Sequence, residues 1–212
     1  MSKQQKEQLT AGERDQRGFS MIETLISVVV LSFAMGGLYS LLIHNSQINK
    51  SEQMRAEAQS NARSVLAVVV QKVRSAGWDP LGGGAFAGIT VDSDFSDAVS
   101  ELTVRSDFDS ILNPGDPDGL ATQLDEEIEF RHSGNTLMWR RQPGGRFEVL
   151  AMNISNDADG DGTIENMFIP DSNVNPTRIT IQVTATSPVV DPISKDFTRY
   201  TVSADVVLRK EI

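Results

Sequence analysis

The chain has no cysteine. A disulfide framework and a thiolate metal site are therefore excluded, although an exported protein can equally lack disulfides, so the compartment stays open. Histidine is nearly as scarce. His44 and His132 are the only two, they lie in different segments, and no metal-ligand spacing relates them. Proline does not occur before Pro80, so nothing of that kind breaks a helix in the first third of the chain. Positive charge is in deficit: 19 Lys and Arg against 29 Asp and Glu leave a formal net charge of −10. That balance disfavours nonspecific attachment to nucleic acid or anionic lipid. Enzyme signatures are missing as well. There is no cysteine nucleophile and no P-loop, and "LGGGAFAG" at 81–88 has neither the Gly-x-Gly-x-x-Gly order nor a strong strand before it. The chain reads as a non-enzyme with no catalytic residues.

What is present is a long apolar run. Residues 1–18 are polar, with Lys3, Lys6, Arg14 and Arg17 set against Glu7, Glu13 and Asp15. Residues 19–43 then hold one charge, Glu23, in 25 residues. As a helix rising 1.5 Å per residue the run spans roughly 37 Å, enough for a bilayer core of about 30 Å. Two processing readings compete. A secretory signal peptide needs a basic start, an apolar stretch and a small-x-small cleavage site, and Ala34-Met35-Gly36 has that form. Against it, Glu23 interrupts the apolar stretch and the preceding leader is long and mixed in charge. The second reading keeps the helix and removes only the polar leader, between Gly18 and Phe19.

The stretch "RGFSMIETLISVVVLSFAMGG" resembles the class III signal of type IV pilins and pseudopilins. The resemblance covers the N-terminal helix closely and the remainder only in general layout. It implies cleavage by a prepilin peptidase after Gly18, N-methylation of the new N-terminal Phe19, and an assembly role for Glu23, the acid five residues into the mature chain. The physics is compatible with that role. A carboxylate in hydrocarbon costs several kcal/mol unless paired. Cleavage would create an amine at Phe19 of every subunit, and in a staggered stack of helices Glu23 of one chain could pair with that amine on its neighbour, supplying register as well as attraction. The plainer alternative leaves Glu23 near the membrane interface, snorkelling or protonated.

Beyond residue 43 the helix is expected to continue to about residue 76. Met54, Ala58, Ala62, Val65, Val69 and Val73 recur at spacings of three or four and form one apolar stripe. Gly77 is a candidate C-terminal cap and Asp79-Pro80 a stop. Gly36-Gly37 is a candidate soft point inside the helix. Strand signals follow the 81–88 stretch, which reads as a flexible connection. "ELTVRS" (101–106) alternates weakly. "EEIEFRHSGNTLMWRR" (126–141) reads as a hairpin turning at Ser133-Gly134-Asn135, with Ile128 and Phe130 facing Leu137 and Trp139. "RFEVLAMNI" (146–154) is another short strand. "RITIQVTATS" (178–187) places Ile179, Ile181, Val183 and Ala185 on one face, and 197–210 places Tyr200, Val202, Ala204, Val206 and Leu208 on one face. Period-two patterning with one polar side implies an antiparallel sheet covered on one face, for which the helix stripe is the natural cover. The fold class is α+β, pilin-like, with a long N-terminal helix whose membrane-spanning first half leads into a part packed on an antiparallel β-sheet. The expected segments are a leader at 1–18, a transmembrane and filament-core helix at 19–43, an amphipathic helix at 44–77 and a β-rich domain at 78–212.

Three polar clusters stand out in that domain. In "NDADGDGTIEN" (156–166), Asp157, Asp159 and Asp161 alternate and Gly162 follows, the first half of a calcium-loop pattern. The Thr163 carbonyl and Glu165 are candidate further ligands for Ca2+. Position twelve is Phe168 and no helices flank the loop, so it is not an EF-hand; a solvated acidic turn is the alternative. The acidic stretch at 106–120, with Asp107, Asp109, Asp116 and Asp118, is spaced too irregularly to specify a site and reads as a solvated loop. Arg131, His132, Arg140, Arg141 and Arg146 gather around the hairpin with Trp139, a pattern that can hold single-stranded nucleic acid but reads here as a solvated strand face, so no nucleic acid is expected.

The layout also resembles PilW-type minor pilins: "QKVRSAGWDP" is similar to their helix end, with Trp78 in place of a tyrosine, and "VVLRK" to their last strand. The resemblance implies a single-pass inner-membrane precursor with a periplasmic C-terminal domain, then a place in the pilus (fimbrium) or its priming tip. Its partners would be major and minor pilin subunits, prepilin peptidase and the inner membrane. A J-type pseudopilin of a type II secretion system is one alternative. A signal-anchored periplasmic calcium-binding domain that never assembles is another.

Overall fold

The computed structural model describes residues 20–81, 86–92, 98–108, 117–172 and 176–208. The expected cleavage and methylation positions, Gly18 and Phe19, lie outside them, as do Asp109 and Asp116. Two compact units divide the chain, Met1–Gln47 and Ile48–Ile212.

In the first unit the described chain is helical from Met21, the start of helix α1 (Met21–Val73). Every residue from 20 to 46 is exposed, and none of the most apolar 18-residue window is buried. The helix passes without interruption through Gly36 and Gly37, where an added Cβ would meet nothing within 4 Å. Both glycines are thus free of any packing demand within the chain and keep only their cost to helix propensity.

In the second unit α1 turns one stripe inward. Ser51, Ala58, Ala62, Val65, Val69 and Val73 are buried, at the three- and four-residue spacing that one helix face requires. Met54 is half-buried, and Ser51 extends the stripe by one position. The helix ends where Gly77 takes φ of 73°, a conformation that costs glycine little. The Gly77 N–H leaves the helix and donates to the Arg105 carbonyl at 2.9 Å.

Among the described residues eight strands follow, in two antiparallel sheets. β1 (Ile89–Val91), β2 (Val99–Arg105), β3 (Glu127–Ser133), β4 (Thr136–Arg140) and β5 (Glu148–Met152) lie in chain order in a five-stranded sheet. β6 (Phe168–Pro170), β7 (Arg178–Val190) and β8 (Phe197–Val207) form a three-stranded one. An isolated bridge between Ile154 and Ala185 connects them. The alternation expected of β7 holds: Ile179, Ile181, Val183 and Ala185 all face inward with no exposed surface. The helix stripe, both sheets and Ile154 and Met167 from the connections share one hydrophobic core. The architecture is α+β with a long N-terminal helix.

Two details differ from expectation. The β3–β4 hairpin turns on Gly134 and Asn135, and Ser133 pairs with Thr136. Phe130 faces Trp139, with ring centroids 6.3 Å apart, but Leu137 faces His132, a fully buried core histidine. The end of the 81–88 stretch is packed. A Cβ on Gly88 would lie 2.5 Å from the Gly77 nitrogen, and the Gly88 carbonyl accepts the Arg105 N–H at 2.8 Å. Gly88 is there because the helix end and the β2 end leave no room for a side chain.

Candidate functional site

The N-terminal half of α1 is the first candidate. A helix with an apolar surface all round is stable only where something other than water covers it. Two of its hydroxyls are satisfied within the helix: Ser27 and Ser32 each donate to the carbonyl four residues back, Glu23 and Val28, at 2.8 Å. The Glu23 carboxylate differs. It sits in the first turn of α1, where the helix dipole favours an anion, and no donor or cation among the described residues meets it. Glu23 is the one charged side chain of residues 20–43.

The acidic loop is the second candidate. Asp157, Asp159 and Asp161 each offer an oxygen within 4.8 Å of the others. One oxygen of each carboxylate is used by the loop: Asp157 Oδ1 accepts from Gly160 N–H at 2.7 Å, Asp159 Oδ1 from Asp161 N–H at 3.1 Å, and Asp161 Oδ1 from Thr163 N–H at 2.6 Å. Gly160 and Gly162, at φ of 84° and 88°, supply the left-handed residues the tight path needs. The backbone N–H of Thr163, then its hydroxyl, hold Asp161 below the ordinary carboxylate range. Glu165 lies outside the three-carboxylate group, its Oε2 accepting the Ala158 N–H at 3.0 Å.

A cation already stands beside this loop. The Arg199 guanidinium lies against Gly160, with its Nε 3.9 Å from Asp157 Oδ2 and Nη1 3.1 Å from Asp196 Oδ2. Nothing in the local pattern signalled it, because Arg199 arrives from β8. It offsets part of the charge of Asp157, whereas no cation among the described residues pairs with Asp159 or Asp161. The donor set, all oxygen and rich in carboxylate, suits hard Ca2+, which takes six to eight oxygens.

The arginines around the hairpin form a charge ladder on the outer face of the five-stranded sheet. Arg131 pairs with Glu101 at 2.5 Å, Arg140 pairs with Glu129, Arg141 pairs with Asp125, and Arg105 pairs with Glu127 at 2.7 Å. The Arg141 guanidinium holds Asp125 below its ordinary pKa, its hydrogen bond outweighing burial. Phe147 lies under Arg131 and Arg140, with guanidinium carbons 4.4 and 5.2 Å from its ring centre. Trp139 is turned toward the core and stacked on Phe130, so its ring is taken up by packing. His132 is buried with Nε2 2.8 Å from the Ile154 carbonyl. Three of the four arginines that suggested a basic patch are thus matched by carboxylates of β2, β3 and the turn before β3.

Residues 14–39 match the family described as the prokaryotic N-terminal methylation motif. No curated protein and no solved structure matches the chain. The matched residues contain the Arg-Gly-Phe run, Glu23 and most of the exposed apolar half of α1. In residues 14–39 the chain therefore carries the N-terminal signature of the type IV pilin family, whose members are processed by prepilin peptidase and assemble with other pilin subunits.

Proposed function

We propose that the chain is a minor pilin of the PilW type, anchored in the inner membrane as a precursor, cut after Gly18, methylated on Phe19, and built into a type IV pilus or its priming tip. The observation that carries the reading is the pairing of an unburied apolar helix with one unpartnered acid, Glu23, at its start. Such a helix needs an apolar environment on every side, which a bilayer supplies before assembly and the helices of other subunits supply afterwards. The amine of a neighbour's Phe19 is the natural partner for Glu23 in that packing. The β-rich domain would lie on the periplasmic side, and its role is structural, not catalytic. The 157–161 loop would take Ca2+ through Asp157, Asp159 and Asp161, with the Thr163 carbonyl and water completing the set in place of the more distant Glu165, stiffening a long connection between β5 and β6.

N-terminal mass spectrometry of the mature protein tests the reading. A chain beginning at methyl-Phe19 supports it. A start at Met1, or near residue 37, overturns it in favour of an anchored or secreted periplasmic domain. Recovery in sheared pili, as against dependence on a secretion pseudopilus, separates a minor pilin from a J-type pseudopilin.

A further inference from the structure

The far end of the β7–β8 hairpin is apolar and uncovered. Val189 is 58% exposed, Val190 42%, Ile193 49% and Phe197 44%. Single exposed apolar side chains are ordinary on a protein surface, but four within nine consecutive residues form a patch, and patches mark contact sites. Val190 and Phe197 are the last register pair before the connection. Val189 and Val190 are successive residues of one strand, so they point to opposite faces, and neither face is covered. The tip is firmly built all the same. The Asp191 N–H donates to the Asp196 carbonyl and the Lys195 N–H to the Asp191 carbonyl, each at 2.9 Å. The Thr198 N–H donates to Ser187 Oγ at 3.0 Å, and that hydroxyl donates to the Val189 carbonyl at 2.7 Å.

Three contacts within the Ile48–Ile212 unit fix the direction in which the tip points. On β8, the Tyr200 hydroxyl accepts from Gln59 Nε2 at 3.4 Å and from Arg63 Nη2 at 3.3 Å, both on α1. On β7, Pro188 lines a groove together with Glu57 and Asn61. In the connection, Asp191 accepts the Ser51 hydroxyl at 2.7 Å. Moving along the hairpin toward its tip thus means moving back along α1 from residue 63 to residue 51, toward the helix N-terminus. Ser51 stands eight residues after Ile43, the end of the apolar run, which is about 12 Å of helix rise. The headgroup layer outside the hydrocarbon takes up roughly 5–7 Å of such a distance. Only a few ångströms are left for the connection and its side chains to cross.

Charge agrees with lipid as the occupant. The chain as a whole is acidic, yet the acids near the tip are answered: Asp196 by Arg199 Nη1 at 3.1 Å and Glu52 by Arg55 Nη1 at 3.6 Å, while Asp191 is buried. Lys195 in the tip and Lys50 beside Ser51 are both exposed, and cations so placed attract anionic headgroups. Apolar side chains edged by lysine are the composition of a surface that lies in a membrane interface.

We propose that the β7–β8 tip is a second membrane contact, in which Val189, Val190, Ile193 and Phe197 rest in the headgroup layer of the bilayer that holds residues 19–43 and Lys195 meets lipid phosphate. The inference rests on the membrane-anchored precursor proposed above. It gives that precursor a fixed posture, with the β-rich domain held to the surface at two points instead of tethered by the helix alone.

The test is fluorescence of the full-length chain in vesicles of phosphatidylethanolamine and phosphatidylglycerol, part of the lipid carrying a nitroxide at a shallow acyl position. The chain has no cysteine, so Ser194→Cys, which keeps all four apolar side chains, gives one site in the tip for an environment-sensitive dye. Leu42→Cys places the same dye in the apolar run, and Val207→Cys places it at the opposite end of β8, where the side chain is also exposed. Circular dichroism matching that of the parent establishes that each labelled chain is folded. Quenching at 194 is expected to be several times that at 207 and to persist as the protein is diluted in lipid. Adding Ile193→Ser and Phe197→Ser is expected to bring it down to the level at 207. If the dye at 42 is quenched while that at 194 is quenched no more than at 207, the tip contact is overturned and the anchor stands. An unquenched dye at 42 overturns the anchor and the tip contact with it. A dye at 194 that is shifted but unquenched, and whose shift fades on dilution, gives the patch to a second copy of the chain and overturns the lipid contact.

Discussion

The Ser51 hydroxyl, on helix α1, donates to Oδ2 of Asp191 at 2.7 Å across 140 residues of sequence. Both side chains are buried, at 3% and 1% exposure. Asp191 sits in the β7–β8 connection, where its Oδ1 accepts the Ile193 N–H at 2.8 Å. The bond pins that connection to the helix inside the Ile48–Ile212 unit.

The Ile193 N–H first, then the Ser51 hydroxyl, hold the Asp191 pKa below the ordinary 3.8. A carboxylate with a depressed folded pKa contributes stability above its unfolded pKa and loses it as pH falls through the folded one. Ser51→Ala is therefore expected to lower Tm at pH 7, with the gap to the parent closing below about pH 4. A thermal melt series from pH 7 to pH 2 checks it; a gap independent of pH would mean that Ser51 acts by packing alone.

Glu23→Ala is expected to be cut after Gly18 and to remain in the membrane without entering filaments, because its substitution removes the proposed partner for the Phe19 amine. Gly18→Leu leaves uncut precursor in the membrane. Immunoblots of membrane and sheared-filament fractions separate the two defects, and normal incorporation of Glu23→Ala would remove the pairing role.

His132 is held below the ordinary imidazole value of 6.5 chiefly by burial, against the Ile154 carbonyl. The unfolded chain then takes up a proton at a higher pH than the folded chain. Stability is lost as pH falls from about 6.5 toward the depressed folded value. His132→Leu is expected to cost about 1–3 kcal/mol at pH 8, since the Ile154 carbonyl loses its partner, and to flatten the acid limb of the curve. Denaturant midpoints between pH 8 and pH 5 give the comparison.

Gly88→Ala is expected to lower stability by more than about 1 kcal/mol, because the new methyl meets backbone atoms at Gly77 that cannot step aside. Gly36→Ala is the control. There the added carbon meets nothing within 4 Å, and helix propensity rises by roughly 0.5–1 kcal/mol. Thermal melts of both variants in detergent decide the sign at each position.

Calcium is expected to raise the Tm of the full-length chain, and the double variant Asp159→Asn, Asp161→Asn to lose part of that rise by removing two of the three converging carboxylates. A rise identical in parent and variant would leave the 157–161 loop as a hydrogen-bonded acidic turn.

Local pattern was enough for much of this protein. The apolar stripe at three- and four-residue spacing, the alternation of Ile179, Ile181, Val183 and Ala185, and the Gly77 stop are properties of neighbouring residues, which sequence displays directly. So is the N-terminal run around Glu23, whose proposed chemistry depends on a bilayer and on other subunits more than on the rest of the chain. The same holds for the alternation of Asp157, Asp159 and Asp161, which the loop closes upon itself by short-range hydrogen bonds.

Only the tertiary structure decided the rest. Asp107, expected in a solvated loop, is buried, because its N–H donates to the Trp78 carbonyl, its Oδ2 accepts the Gly119 N–H, and its neighbour Ser106 pairs with Glu126. His132 became core because its register partner is Leu137 and its acceptor is Ile154. Gly88 lost its freedom to Gly77, and the hairpin arginines lost theirs to carboxylates on β2, β3 and the segment before β3. Charge and small size can be read from a sequence, but burial and pairing are properties of long-range contacts, and those are set by how the two sheets and the helix stripe close on one core.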